Sequence, residues 1–233
     1  MLAKRYKAEK FIAYFQSFSN TYAPISRLKE LYDQALSVPG VVGLSVGTRP
    51  DCISESTLDL LESYADRYLV WLEYGLQSSH DHTLRMINRG HDWDCFQKAV
   101  DLTRNRRIHI CAHVILGLPG ETRNMMLDTA RKVAAMAGVH GIKIHLLYVI
   151  KNTPLDTMFQ SGHYRCLEQQ EYVDLVCDFL EWLPPNMVVQ RLTGDPHPHE
   201  LVAPLWSLQK RQTFMLIQEA LIQRDSWQGK RYI

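Results

Sequence analysis

The sequence has no pair of cysteines spaced as CxxC, no long apolar run and no excess of either charge. Its five cysteines stand alone at positions 52, 95, 111, 166 and 177. An odd, scattered set argues against a disulfide framework, and it offers no closely spaced thiolates for a zinc or iron–sulfur centre. No stretch of eighteen apolar residues occurs, so no membrane span is expected. The start, MLAKRYKAEKF, places charges where a secretory peptide needs an apolar core, which leaves a cytoplasmic location as the expectation. A formal net charge of +1 over 233 residues describes no surface built to attract polyanions.

What the chain does contain is alternation. Apolar runs of strand length recur with helix-patterned segments between them, the signature of βα repetition and a parallel sheet. Strands are expected over residues 10–16, 41–48, 70–77, 108–116 and 141–149. Helices are expected over 26–36, 55–64, 93–105 and 122–137. Beyond these come helices near 153–160 and 168–182, a short strand over 187–192, a loop with three prolines, and a last helix over 207–222. Ser54 is placed to cap the second helix and Gly138 to close the fourth.

Within each strand the period of two separates an apolar face from a polar one. Val70, Leu72, Tyr74 and Leu76 oppose Trp71, Glu73, Gly75 and Gln77. Ile110, Ala112, Val114 and Leu116 oppose His109, Cys111, His113 and Ile115. Ile142, Ile144 and Leu146 oppose Lys143, His145 and Leu147. Burying such polar groups unpaired would cost roughly 1–3 kcal/mol for each neutral one. An open barrel whose interior holds water and a ligand is the consistent solution, with a doubly wound sheet as the alternative. In the open barrel, His109, His113, Lys143 and His145 are candidates to line a substrate pocket.

Two βα junctions carry the chemistry: WLEYGLQSSHDHTLRMINRGH (71–91) and HVILGLPGET (113–122). In GLPGET, Gly117 and Gly120 allow close backbone approach, and the helix that follows presents free amides. NRGH (88–91) reads as a helix end with Gly90 left-handed, and Arg89 is positioned to meet a carboxylate. Tyr172, Phe179 and Trp182 have helical spacing and are expected in the core. His80 and His82 are expected at a surface turn. Pro196-His197-Pro198-His199-Glu200 reads as a rigid proline loop rather than a metal site, because histidines two residues apart make only part of one.

Together with FIAYFQSFSNTYAP (11–24), VGLSVGTRPD (42–51), VVQRLTGD (188–195) and LVAPLW (201–206), these junctions resemble the radical S-adenosylmethionine (SAM) enzymes of the YhcC-like group, related to the elongator catalytic subunit. The resemblance implies an α/β fold: a partial (β/α)6 TIM-like barrel lacking its first βα unit, with a small C-terminal extension. Residues 1–165 would form the second to sixth βα units, and 166–233 a helical extension with a short strand. In that family a reduced 4Fe-4S cluster cleaves SAM, and the deoxyadenosyl radical abstracts a hydrogen from substrate. Carried over by position, Gln16 and Ser17 fall near the methionyl amino group, and Glu73 and Gln77 at the ribose. Ile115, Gly117, Leu147 and Tyr148 fall near adenine, and Arg89 becomes a carboxylate partner. The family's three-cysteine motif is absent, so the chain is expected to be truncated before it, with Met1 inside the first helix and no metal ligand of its own. An inactive chain is the corollary, as is an uncovered sheet edge beside Ile12 and Tyr14 that limits solubility. The resemblance further implies an electron donor and a substrate, tRNA by analogy with the elongator subunit. A cluster-free module with an adenosyl-ligand pocket and a Schiff-base barrel using Lys143 are the competing readings.

Overall fold

The computed structural model describes residues 7–232. Its strands are β1 (Phe11–Phe15), β2 (Val41–Thr48), β3 (Leu69–Gln77), β4 (His109–Leu116), β5 (Val139–Leu146), β6 (Val149–Ile150), β7 (Val188–Arg191) and β8 (Leu201–Ala203). Its α-helices are α1 (Ile25–Leu36), α2 (Glu55–Glu62), α3 (Asp81–Met86), α4 (Trp93–Thr103), α5 (Arg123–Ala134), α6 (Pro154–Gln160), α7 (Gln169–Trp182) and α8 (Lys210–Gln223). Six strands form one sheet in the order β1-β2-β3-β4-β5-β7, and β6 and β8 pair separately. The fold class is α/β, as expected. The expected position of Met1 lies outside the described residues. Among the described residues no helix is long and apolar enough to cross a membrane.

The chain forms two compact units, and neither is a single stretch of sequence. The first takes the described residues up to Leu76, Trp93–Ala112 and Gly138–His140. In it, β1 pairs parallel with β2, Tyr14 opposite Ser45, and β2 with β3, Gly47 opposite Glu73. Strand β1 ends the strand order, and its Ile12 and Tyr14 are exposed, as expected. The apolar strand face packs under helices. Tyr74 Oη lies 2.8 Å from Thr103 Oγ1 on α4, and Phe96 meets the Tyr74 ring edge-on. Helix α1 buries Leu28, Tyr32 and Leu36, and Tyr32 Oη donates to the Asn20 carbonyl at 2.6 Å. Ser54 caps α2 as expected, accepting from the Thr57 amide at 3.3 Å. Arg106 gathers the acidic face of α2, with Nη1 2.7 Å from Asp59 and 3.1 Å from Glu62.

The second unit takes Gln77–Asp92, His113–Ala137 and residues 141–232. Helix α7 packs against α5 and α8. It buries Tyr172, Val176 and Phe179, while Trp182 is only half-buried, beneath the Arg131 guanidinium. Glu168 and Glu171 form a reciprocal box at its start. Strand β5 ends at Leu146, short of the expected 149. The chain turns there so that Val149 and Ile150 can pair antiparallel with Ala203 and Leu201, a ladder that no local pattern announced. Ser207 falls in a 3-10 turn (Leu205–Leu208), and the last helix begins only at Lys210.

Gly138 tests the packing of the first unit. Its φ is +96°, and a Cβ there would collide with Arg104 Cβ. Left-handed backbone costs an L-residue about 1–2 kcal/mol before any clash. Gly138→Ala is therefore expected to destabilise by at least about 2 kcal/mol in urea denaturation, and an unchanged midpoint would contradict the account.

Candidate functional site

In the first unit the inner strand face centres on Glu73, which is 2% exposed. Tyr14 Oη donates to its Oε2 at 2.9 Å, and Ser45 Oγ donates to its Oε1. The donors come from two neighbouring strands, and at Gly47, opposite Glu73, a Cβ would press on the Phe15 carbonyl oxygen of β1. A carboxylate removed from water on a strand is tolerated only with such donors. Gln16 and Ser17 are exposed just past the end of β1. The loop after them is anchored to β2 through Asn20 and Thr21, the latter 2.6 Å from Thr48 Oγ1. His109 opens β4, is exposed, and has its ring against Trp71 and His140 at 5.0 and 5.2 Å. It belongs to the first unit, not with His113 and His145. Burial and the His109 ring beside it lower the pKa of His140.

The second unit holds the other candidates. The His113 and His145 rings lie 5.3 Å apart, both half-buried, and Lys143 is buried on the same strand as His145. Gln77 ends β3 with a left-handed φ of 73°. The turn after it is tied to the GLPGET turn and α5: Ser78 donates to the Glu121 carboxylate, Ser79 Oγ lies 3.0 Å from Thr129 Oγ1, and His80 Nε2 lies 2.9 Å from the Met125 carbonyl. His80 is thus a half-buried residue at the start of α3 rather than a surface one, whereas His82 is exposed on that helix.

Gly117 has φ +90° and is buried. Its carbonyl accepts from Tyr164 Oη at 2.8 Å, its amide faces Met126 Sδ at 3.1 Å, and a Cβ would press on Leu167. Its backbone is committed within the protein, so its role is conformational. Ile115 is half-buried on β4. Leu147 and Tyr148, expected on a strand, lie beyond β5. The Leu147 amide still reaches the Leu116 carbonyl at 2.9 Å, and the Tyr148 ring fills the place a Cβ of Gly194 would take. Arg89 is half-buried just after α3. The left-handed residue closing that helix is Asn88, with the Arg89 amide bonded to Leu84, and Gly90 is left-handed as well.

All five cysteines are free thiols, and among the described residues no three His, Cys, Asp or Glu side chains gather as a metal site. Burial pushes the Cys166 and Cys177 thiols up to about 11. This donor set does not fit a 4Fe-4S cluster, which needs converging thiolates.

Residues 2–133 match the Radical SAM superfamily, and residues 139–223 match the Radical_SAM C-terminal domain. The fold and the first of these matches define a radical SAM protein. The chain is 43% identical over 227 residues to the uncharacterized protein YtqA of Bacillus subtilis, covering 97% of this chain and 70% of that one. It is 38% identical over 224 residues to YhcC of Escherichia coli, covering 96% and 72%. The archaeal Methanocaldococcus infernus Elp3 with an N-terminus deletion (1-46) superposes with a TM-score of 0.83 at 16% identity, over 97% of this chain and 57% of that one, a likeness of fold. The chain belongs to the YhcC-like family of radical SAM proteins, which is related to Elp3.

Two outcomes follow from the titrating groups. Burial raises the Glu121 carboxyl above its ordinary 4.5, against the opposing pull of Ser78, Thr83 and His80. A carboxyl raised by folding contributes stability below its unfolded pKa and loses it as pH climbs through the folded value. Glu121→Gln stays neutral, so its stability relative to wild type is expected to rise from pH 4 to pH 7 in urea titrations, and a falling difference would reverse the sign. Native-state maleimide labelling at pH 7 is expected to reach the half-buried Cys52 and Cys95 well before Cys111, Cys166 and Cys177. Early labelling of Cys166 or Cys177 would contradict their burial.

Proposed function

We propose that this chain is the SAM-binding and substrate-presenting part of a radical SAM enzyme whose 4Fe-4S cluster is held by ligands other than this chain's cysteines. The observation that supports this most is the polar inner strand face, with the Glu73 carboxyl oriented by Tyr14 and Ser45, in a chain matched by both radical SAM families. Members of the superfamily bind SAM and a 4Fe-4S cluster, and the cluster supplies reducing electrons when bound.

In this reading Glu73 and Gln77 accept from the ribose hydroxyls, and Arg89 meets a carboxylate bidentately. Gln16 and Ser17 offer polar atoms to the methionyl amino group. Ile115, Leu147 and Tyr148 supply apolar surface for adenine, with Gly117 setting the turn beside them. His113, His145 and Lys143 bind and orient the substrate, for which an RNA such as tRNA is the class carried by the relation to Elp3. An electron donor is the second partner, and the location is cytoplasmic.

The donor set favours one other reading, a cluster-free module that binds an adenosyl ligand without turnover. Equilibrium dialysis with SAM, followed by anaerobic iron–sulfide reconstitution and a 5′-deoxyadenosine assay, separates the two. SAM is expected to bind, Gln77→Ala to weaken it at least about tenfold, and this chain alone to form no deoxyadenosine. Failure to bind SAM would sink both readings, and deoxyadenosine from this chain alone would overturn the account of its cysteines. Fusion to a segment bearing a cysteine triad is expected to restore the product; a fused protein that still binds SAM without turnover would leave the binding module.

A further inference from the structure

Helix α8, in the second unit, carries apolar residues on the side that a surface helix ordinarily gives to water. Its inner side is fixed by Thr213, Ile217 and Ala220, which are buried, and by Arg224, which pairs with Asp174 on α7. Gln169 donates to Thr213 Oγ1 at 3.0 Å, and the Cys177 thiol donates to the Ile217 carbonyl at 3.7 Å. At about 3.6 residues per turn, the opposite side falls to Arg211, Met215, Gln218, Ile222 and, just past the helix end, Asp225. On that side Phe214, Met215 and Ile222 are 46%, 48% and 78% exposed, with the half-buried Leu221 beside them. Scattered exposed apolar residues are ordinary, but a contiguous row on a helix whose other side is already packed marks an interaction surface.

The order of these residues singles out the partner. Positions 211, 215, 218, 222 and 225 alternate steps of four and three, the spacing of a seam between two packed helices. The row is also symmetric about Gln218. Phe214 and Ile222 stand four residues either side of it, Met215 and Leu221 three, and Arg211 and Asp225 seven. Laid antiparallel against a second copy, with a twofold axis at Gln218, the row sets apolar against apolar along its length and Arg211 against Asp225 at both ends. A row made for an unrelated surface needs no such symmetry. Arg211 and Asp225 are both exposed, and neither side chain forms an ion pair or hydrogen bond among the described residues. Beyond the two ends stand Leu208 and Trp227, also exposed. A net charge of +1 leaves two copies with little mutual repulsion.

We propose that the outer side of α8 is a homodimer interface, on which two copies pair their α8 helices antiparallel about Gln218. An isolated helix of fourteen residues is marginal in water, but this one is held by α7 before any partner arrives. Pairing therefore costs little further ordering of the backbone. None of the residues assigned to SAM lies on α8, so the interface can fail or hold independently of the SAM reading.

Sedimentation velocity of the chain at low ionic strength, from about 1 to about 500 µM, tests the proposal. A species of twice the chain mass is expected to grow reversibly with concentration. Met215→Glu and Ile222→Glu are each expected to weaken it about tenfold or more, with the circular dichroism unchanged. Charge exchange then reads the register. Arg211→Glu sets two carboxylates against each other at each end, and Asp225→Lys sets two cations there, so each variant alone is expected to associate about fivefold or more weakly. Mixed in equal amounts, the two variants are expected to recover wild-type association as a heterodimer, because both ends again pair opposite charges. Pairing in parallel, or through another surface, gives no such recovery. A monomer at every concentration, a dimer of unchanged affinity in Ile222→Glu, or a mixture no tighter than the separate variants would overturn the proposal.

Discussion

A carboxylate cannot sit inside a sheet without hydrogen-bond donors, and that constraint orders the first unit. Glu73 lies mid-strand on β3 with almost no exposure. Its donors must come from strands whose register sets them beside it. Ser45 lies one two-residue step from Gly47, the residue opposite Glu73, and Tyr14 is opposite Ser45 on the next strand out. Neighbouring strands are about 4.8 Å apart, so only a side chain as long as tyrosine can reach from β1. Gly47 serves the pairing of β1 with β2 instead, since a Cβ there would come within 3.2 Å of the Phe15 carbonyl oxygen. A slip of one residue in either pairing would turn these donors to the opposite face and leave the Glu73 carboxyl without them.

In the second unit the corresponding constraint is the geometry of the strand-to-helix turns. The two junctions that carry most of the sequence resemblance are bound to each other through Ser78 and Glu121, Ser79 and Thr129, and His80 and Met125. Gly117 holds its turn because its conformation, its carbonyl and its missing Cβ are all used by the surrounding protein. Residues at these turns therefore serve structure first, and a ligand would meet a surface already fixed. Rigid supports of this kind allow short polar side chains to define a site.

Much of this was legible in the chain. The extents of β2, β3 and β4 follow from apolar alternation, and the cap at Ser54 from a residue that accepts an amide hydrogen, whereas Thr122, expected as the first residue of its helix, is the cap before it. The separation of Tyr74 from Glu73, one toward α4 and the other inward, follows from the period of two alone. The site was less legible. His109 shares a face with His113 by periodicity, yet it opens the strand and is exposed against Trp71. Leu147 and Tyr148 continue an apolar run, yet the strand ends before them because the chain leaves to pair with Leu201–Ala203. His80 looked like a surface residue because its partner, Met125, lies 45 positions away.

The sequence by itself determined the class of fold, the face each strand residue takes and the family, because periodicity and local motifs depend on near neighbours along the chain. Only the tertiary structure decided which groups meet: Tyr14 and Ser45 on Glu73, and Tyr164 on Gly117. Those encounters span tens of residues. They are set by strand register and helix docking, which answer to the burial of the whole apolar face rather than to any one residue's pattern.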